Sequence, residues 1–180
     1  IESGDVLQTT ASSLDPITSR AQVRLAALGF RMQATPLQLA EIAAAIASGR
    51  RVTPRLLLEV KDRPAPAANG TTLGIATERI KDGMARVALD GTAQAAFAGA
   101  RFDAIRPLLR VKTGTADLDE AGTVHNAWLT GWLEPGALPS ESRRLAFACL
   151  ISHAAGTGGE ECGAVVAAWL ASLAESGPDG

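Results

Sequence analysis

Residues 111 to 116 read Val-Lys-Thr-Gly-Thr-Ala. Lys112, Thr113, Gly114 and Thr115 thus close a short apolar run with an ammonium, two hydroxyls and a backbone N–H beside a residue without a side chain. Such an edge suits an anion. Lysine is a compact point charge with three donors. Hydroxyls can hydrogen-bond a carboxylate, and an exposed amide can be aimed where an oxyanion develops. At Gly114 another backbone could lie against the strand.

Acyl chemistry at such an edge needs an activated nucleophile. Yet none of the three lysines follows a serine at the Ser-x-x-Lys spacing. Leu58, Glu78 and Leu109 stand three positions before Lys61, Lys81 and Lys112. Ser3-Gly4-Asp5 reads as loop. Cys149 and Cys162 match no zinc spacing, and His125 and His153 are too scattered to complete one. The two cysteines either pair in an oxidising compartment or, more plainly, behave as small buried apolar residues. Asp117, Asp119 and Glu120 lack the spacing of a calcium loop and read as a solvated turn. No metal or cofactor is expected.

Composition narrows the class. Hydrophobic residues make up 47% of 180, which fits a globular chain with a core and argues against disorder. Seventeen basic residues against 19 acidic ones leave a net charge of −2, so no basic field points to nucleic acid. No apolar run approaches the roughly 20 residues of a membrane span. Ile1 opens the chain without a starting Met or a signal-peptide pattern, which suggests a piece of something longer.

The elements that must position the tetrad follow from periodicity. Residues 1–34 are weakly patterned and predict an irregular lead-in. Thr35-Pro-Leu-Gln38 is a capping box that opens a helix with Leu39, Ile42, Ala43 and Ile46 at helical spacing, stopped by Gly49. Thr53-Pro54 and Leu56 to Val60 suggest a short edge strand, and Pro64 to Gly70 a turn. A second helix is predicted over Thr77 to Leu89 with Ile80, Met84 and Val87 on one face, then a brief helical turn over Ala93 to Phe97. Strands follow over Pro107–Lys112, Asn126–Leu133 and Arg144–Ser152, with Ala116 to Val124 as a polar loop. Short links favour antiparallel pairing. A last helix starts near Glu161, where Glu160 and Glu161 suit the positive end of its dipole. This is an α+β layer: a helical part at 35–106, a three-strand antiparallel meander at 107–153 and a C-terminal helix at 160–176. Trp128 and Trp132, four apart on a strand, share a face, either as core or as a substrate-side wall. His125 sits at the rim or plainly on the surface, and His153 has no role.

Three segments in order resemble the penicillin-binding transpeptidase family: Thr35-Pro-Leu-Gln-Leu-Ala40; Lys112-Thr-Gly-Thr-Ala116 after Asp82-Gly-Met and Gly91-Thr-Ala; and His125-Asn-Ala-Trp-Leu-Thr-Gly131. The resemblance covers roughly residues 30 to 175. It implies the serine β-lactamase/transpeptidase fold, an antiparallel sheet flanked by helices, of which residues 1–180 would be the C-terminal portion. It implies a D,D-transpeptidase that acylates a serine with a D-Ala-D-Ala stem peptide and is inhibited by β-lactams. Lys112 and Thr115 would be catalytic, and Lys112, Thr113, Gly114 and Thr115 would bind the substrate. The Ser-x-x-Lys pair would come from an upstream segment or a companion chain, and this piece alone would be inactive. The implied location is periplasmic or otherwise extracytoplasmic, with the parent anchored to the inner membrane by an upstream helix. Two other readings use the same edge: a non-catalytic scaffold that kept the fold, and a β-lactamase or β-lactam sensor.

Overall fold

The computed structural model describes residues 12–27, 32–52, 54, 59–60, 63–64, 70–119, 121–138 and 142–175. Ser3-Gly4-Asp5, Leu56–Leu58, Glu120 and most of the turn after Pro64 lie outside them.

Ahead of Thr35 the chain is more regular than its pattern predicts. Strand β1 (Ser13–Leu14) pairs antiparallel with β2 (Met32–Gln33), and helix α1 (Arg20–Ala27) lies between them. Over residues 12–27 and 32–34 this corrects the irregular lead-in expected for 1–34. The cause is a second reciprocal cap: Gln22 Oε1 accepts from the Ser19 N–H at 3.0 Å while the Gln22 N–H donates to Ser19 Oγ at 3.3 Å.

Helix α2 (Pro36–Ser48) carries the expected capping box, with the Thr35 N–H on Gln38 Oε1 at 2.8 Å and the Gln38 N–H on Thr35 Oγ1 at 3.3 Å. Gly49, at φ 69°, closes it in the left-handed conformation that glycine adopts without strain. Its buried positions are Ala43 and Ala47, while Ile42 stays exposed. Strands β3 (Glu59–Val60) and β4 (Arg63–Pro64) form a small hairpin, so residues 35–106 are not wholly helical. Helix α3 (Glu78–Leu89) buries Met84 and Ala88 with Val87 half-buried; Ile80, expected on that face, is 40% exposed. The segment after α3 runs through turns rather than a helix, and it buries Phe97 edge-on to Phe102, with ring centroids 5.8 Å apart.

Strands β5 (Leu109–Asp117), β6 (His125–Leu133) and β7 (Leu145–Ala154) form an antiparallel meander in that order. Pro107 belongs to a 3₁₀ turn before β5, and β5 extends past Lys112 to Asp117. The tetrad therefore lies inside a strand rather than at the end of one. Helix α4 (Glu161–Glu175) follows β7.

Alternation sorts the sheet into two faces. On one, Leu109, Val111, Ala127, Leu129, Leu133 and Phe147 join Cys162, Val166 and Leu170 of α4 in the main core. On the other, Trp132 packs with Ala43, Ala47 and Met84, so the small residues of α2 leave room for an indole. Thr130 Oγ1 donates across this second face to the Leu39 carbonyl at 3.1 Å. Each fully buried leucine or phenylalanine contributes about 1.5–3 kcal/mol relative to exposure. The sheet is thus clamped from both sides, and β5 is held at its margin.

Candidate active site

The tetrad's geometry follows from the ladder. Beyond either end of β5, the Glu134 N–H donates to Leu108 O at 2.9 Å and the Leu118 N–H to Val124 O at 2.8 Å. Both pairs continue the register that sets Lys112 opposite Thr130 and Gly114 opposite Trp128. Antiparallel ladders alternate bonded and non-bonded pairs. Arg110, Lys112, Gly114 and Ala116 therefore turn their amides toward β6, while Thr113 and Thr115 turn theirs outward. No other strand pairs with that outer edge among the described residues. Two outward N–H groups at the open margin are what an oxyanion or an added backbone would meet.

The side chains alternate too. Thr113 and Thr115 share the α4 face of β5, about 6.7 Å apart along the strand, and Lys112 and Gly114 share the α2 face. Lys112 is exposed, and its Nζ donates to the outward carbonyl of Thr113. Thr113 is half-buried, with its Oγ1 2.6 Å from Thr92 Oγ1. Thr115 is exposed, and its Oγ1 accepts from the Gly158 N–H at 3.1 Å. The missing side chain of Gly114 faces Trp128, whose Cβ would stand 3.4 Å from an added Cβ.

Gly158 explains why the α4 approach is so close. A Cβ there would fall 2.3 Å from both Gly114 O and Trp128 O, backbone atoms that cannot step aside. The turn is held from behind by a third capping box. The Thr157 N–H donates to Glu160 Oε2 at 2.9 Å, and the Glu160 N–H reaches Thr157 Oγ1 at 3.4 Å. These bonds, backbone first, hold the Glu160 carboxyl below its ordinary range.

Neither Thr92 nor Gly158 is singled out by sequence reasoning. The signals were Gly91-Thr-Ala beside the tetrad and Thr157-x-x-Glu160 ahead of an apolar run. What they touch is set by long-range packing.

The remaining candidates fall into place around the edge. His125 Nδ1 lies 2.8 Å from Asp117 Oδ1 where β5 meets β6, at the rim. Trp128 and Trp132 share the α2 face; Trp132 is core, and Trp128 is half-buried beside Gly114. His153, at φ 58°, sits with Ser152 in a β-bulge opposite Asn126. Asp119 spends both oxygens on its own turn, accepting from the Thr123 N–H at 2.8 Å and from its hydroxyl. Cys149 and Cys162 are free thiols that meet between β7 and α4. Cys162 also donates to Ala127 O at 3.1 Å. Burial, and then its contact with Cys149, pushes the Cys162 thiol up to about 12. No described helix is long and apolar enough to cross a membrane.

Together these groups make an edge that could receive an anion. It offers an ammonium, two hydroxyls and outward amides, while no lysine of the chain follows a serine at Ser-x-x-Lys spacing.

Residues 4–171 match the family model described as the penicillin binding protein transpeptidase domain. A comparison with curated proteins finds no match. The family match takes in the tetrad, the Gly91-Thr92-Ala93 segment, the whole meander and most of α4, and helices flanking an antiparallel sheet are the α+β fold that goes with it. By that match over nearly its whole length, the chain belongs to the penicillin-binding protein transpeptidase domain family.

Proposed function

We propose that this chain is the C-terminal portion of a serine-type D,D-transpeptidase domain that cross-links peptidoglycan in the cell envelope. One observation carries the reading. Thr113 and Thr115 turn both amides to a margin that no other strand among the described residues pairs with, and two hydroxyls and the Lys112 ammonium stand beside them. In this reading a serine Oγ from an upstream segment or companion chain attacks the carbonyl of the penultimate D-Ala. Its proton passes to the lysine of the same Ser-x-x-Lys. An acyl–oxygen bond forms, the peptide C–N bond breaks, and the terminal D-Ala leaves with a proton; an amine then attacks the ester and the serine is restored.

The Thr115 N–H is one oxyanion donor, and the serine's own N–H is the other. Losing one such donor costs about 2.7–4 kcal/mol in comparable acyl transfers. Thr113 and Thr115 hydroxyls bind the terminal carboxylate or that of a β-lactam. Lys112 raises the positive potential around the nucleophile.

The test uses a fluorescent penicillin. The full-length protein should be labelled at an upstream serine, Lys112→Ala should label at least tenfold more slowly, and the 180 residues alone should not label. Labelling of the isolated chain, or none of a full-length protein containing Ser-x-x-Lys, would overturn the reading. The alternative is a non-catalytic scaffold that kept the fold. A parent sequence without Ser-x-x-Lys would establish it.

A further inference from the structure

Each hydroxyl of the tetrad has a partner from outside the strand, and the chemistry of those partners decides where its proton goes. An amide N–H can only donate. The Gly158 N–H, 3.1 Å from Thr115 Oγ1, therefore occupies a lone pair of that oxygen and leaves the Thr115 proton for a ligand. Thr113 Oγ1 and Thr92 Oγ1, 2.6 Å apart, share one hydrogen bond. Either oxygen can donate it. When Thr92 donates, Thr113 becomes the acceptor and its own proton is also left for a ligand. An anion placed between the two tetrad hydroxyls selects that sense, because a carboxylate accepts and never donates when ionised.

We propose that Thr92 is a positioning residue of this site: it donates to Thr113, as the Gly158 amide donates to Thr115, so that both tetrad hydroxyls turn their protons toward one substrate carboxylate. The assignment rests on the carboxylate-binding role given to Thr113 and Thr115 above. It adds a residue outside the strand and a reason for its type. Hydrogen bonds in a chain polarise one another, so a hydroxyl that already accepts donates more strongly. Thr92 does not touch the substrate. It sets the direction of a rotor that otherwise points either way. Gly158 does the same from the main chain, and only glycine fits there, since a Cβ would meet Gly114 O and Trp128 O at 2.3 Å.

The substrate's carboxylate is the feature Thr92 serves, so the test varies it. Second-order acylation of the full-length protein is measured with benzylpenicillin and with its methyl ester, which lacks the anion. Thr92→Val keeps the shape and removes the donor; Thr92→Ser keeps the donor. Thr92→Val should slow acylation by the acid roughly tenfold, the factor carried by one ordinary hydrogen bond. The loss should lie in binding rather than in the limiting rate, the ester should react as before, and Thr92→Ser should match wild type. Equal losses for acid and ester in Thr92→Val would make Thr92 a scaffold residue and overturn the proposal, as would an unchanged rate with the acid. A wild-type protein acylated by neither compound overturns the functional reading itself and this inference with it. A wild type that reacts normally while Thr92→Val shows no selective loss overturns this inference alone.

Discussion

Trp132 is 0% exposed, and its indole N–H donates to Glu134 Oε1 at 2.7 Å. Around it stand Ala43, Ala47 and Met84, so truncation leaves a void that small neighbours cannot fill. Trp132→Ala should lower the free energy of unfolding by about 3–5 kcal/mol, read from urea titration by circular dichroism. A loss below about 1 kcal/mol would mean that α2 collapses onto the sheet with ease. The period of two in β6 put Trp128 and Trp132 on one face from the sequence alone. Which helix covers that face was not legible, because it depends on where α2 docks. The same is true of Thr113: its type and position can be read from the tetrad, but its bond to Thr92 spans 21 residues of chain.

Helices α1, α2 and α4 all begin at Ser/Thr-x-x-Gln/Glu boxes, and the way the α4 box is used has the largest consequence. Thr157 and Glu160 fix the turn that lowers Gly158 onto the Gly114–Trp128 pair. Gly158→Ala sets a methyl against two backbone carbonyls, which neither strand can relieve without leaving the ladder. The expected cost is about 1–3 kcal/mol, the range of overpacking in a tight core. Hydrogen exchange should quicken at the β5–β6 amides around Gly114 and Trp128, while amides of α2 stay protected. Uniform loss of protection would show instead that the contact serves the whole core. The Thr35 box was legible because an apolar period follows it at once. Ser19-x-x-Gln22 and Thr157-x-x-Glu160 were legible in principle, but polar and glycine-rich surroundings hid them. The extent of β5 was missed because threonine and glycine continue a strand through pairing with β6, which no local pattern announces.

At the scale of the whole molecule, a buried thiol and a half-buried carboxyl both make stability depend on pH. The Cys162 thiol is pushed up from 9.0 to about 12. The folded state thus holds its proton more tightly than the unfolded one. Its contribution is complete below the ordinary thiol range and is lost as pH rises from there toward 12. Glu134 behaves oppositely. Burial alone would raise it, but hydrogen bonds from Trp132 and Arg144, with the charges of Arg144 and Arg110, hold it below the ordinary carboxylate range. Its contribution is present above that range and fades as pH falls through the lowered folded value. Unfolding free energy should therefore be level near neutrality and decline on both sides. Cys162→Ala should flatten the alkaline decline, and Glu134→Gln the acid one; a Cys162→Ala profile that still falls identically above pH 9 would assign the alkaline limit elsewhere. The α+β class and the order of the meander were readable from turn signals and alternation. The layering was not, since it arises from how α2 and α4 clamp opposite faces. The pleat of β5 carries one last consequence. It sets residue 112 on one side of the sheet and residues 113 and 115 on the other, so the charge and the hydroxyls of the tetrad stand apart. In the proposed reading, ionic strength would weaken the pull of Lys112 on an approaching carboxylate and leave the hydroxyl pair that receives it untouched. Selection acting on one of these properties need not disturb the other.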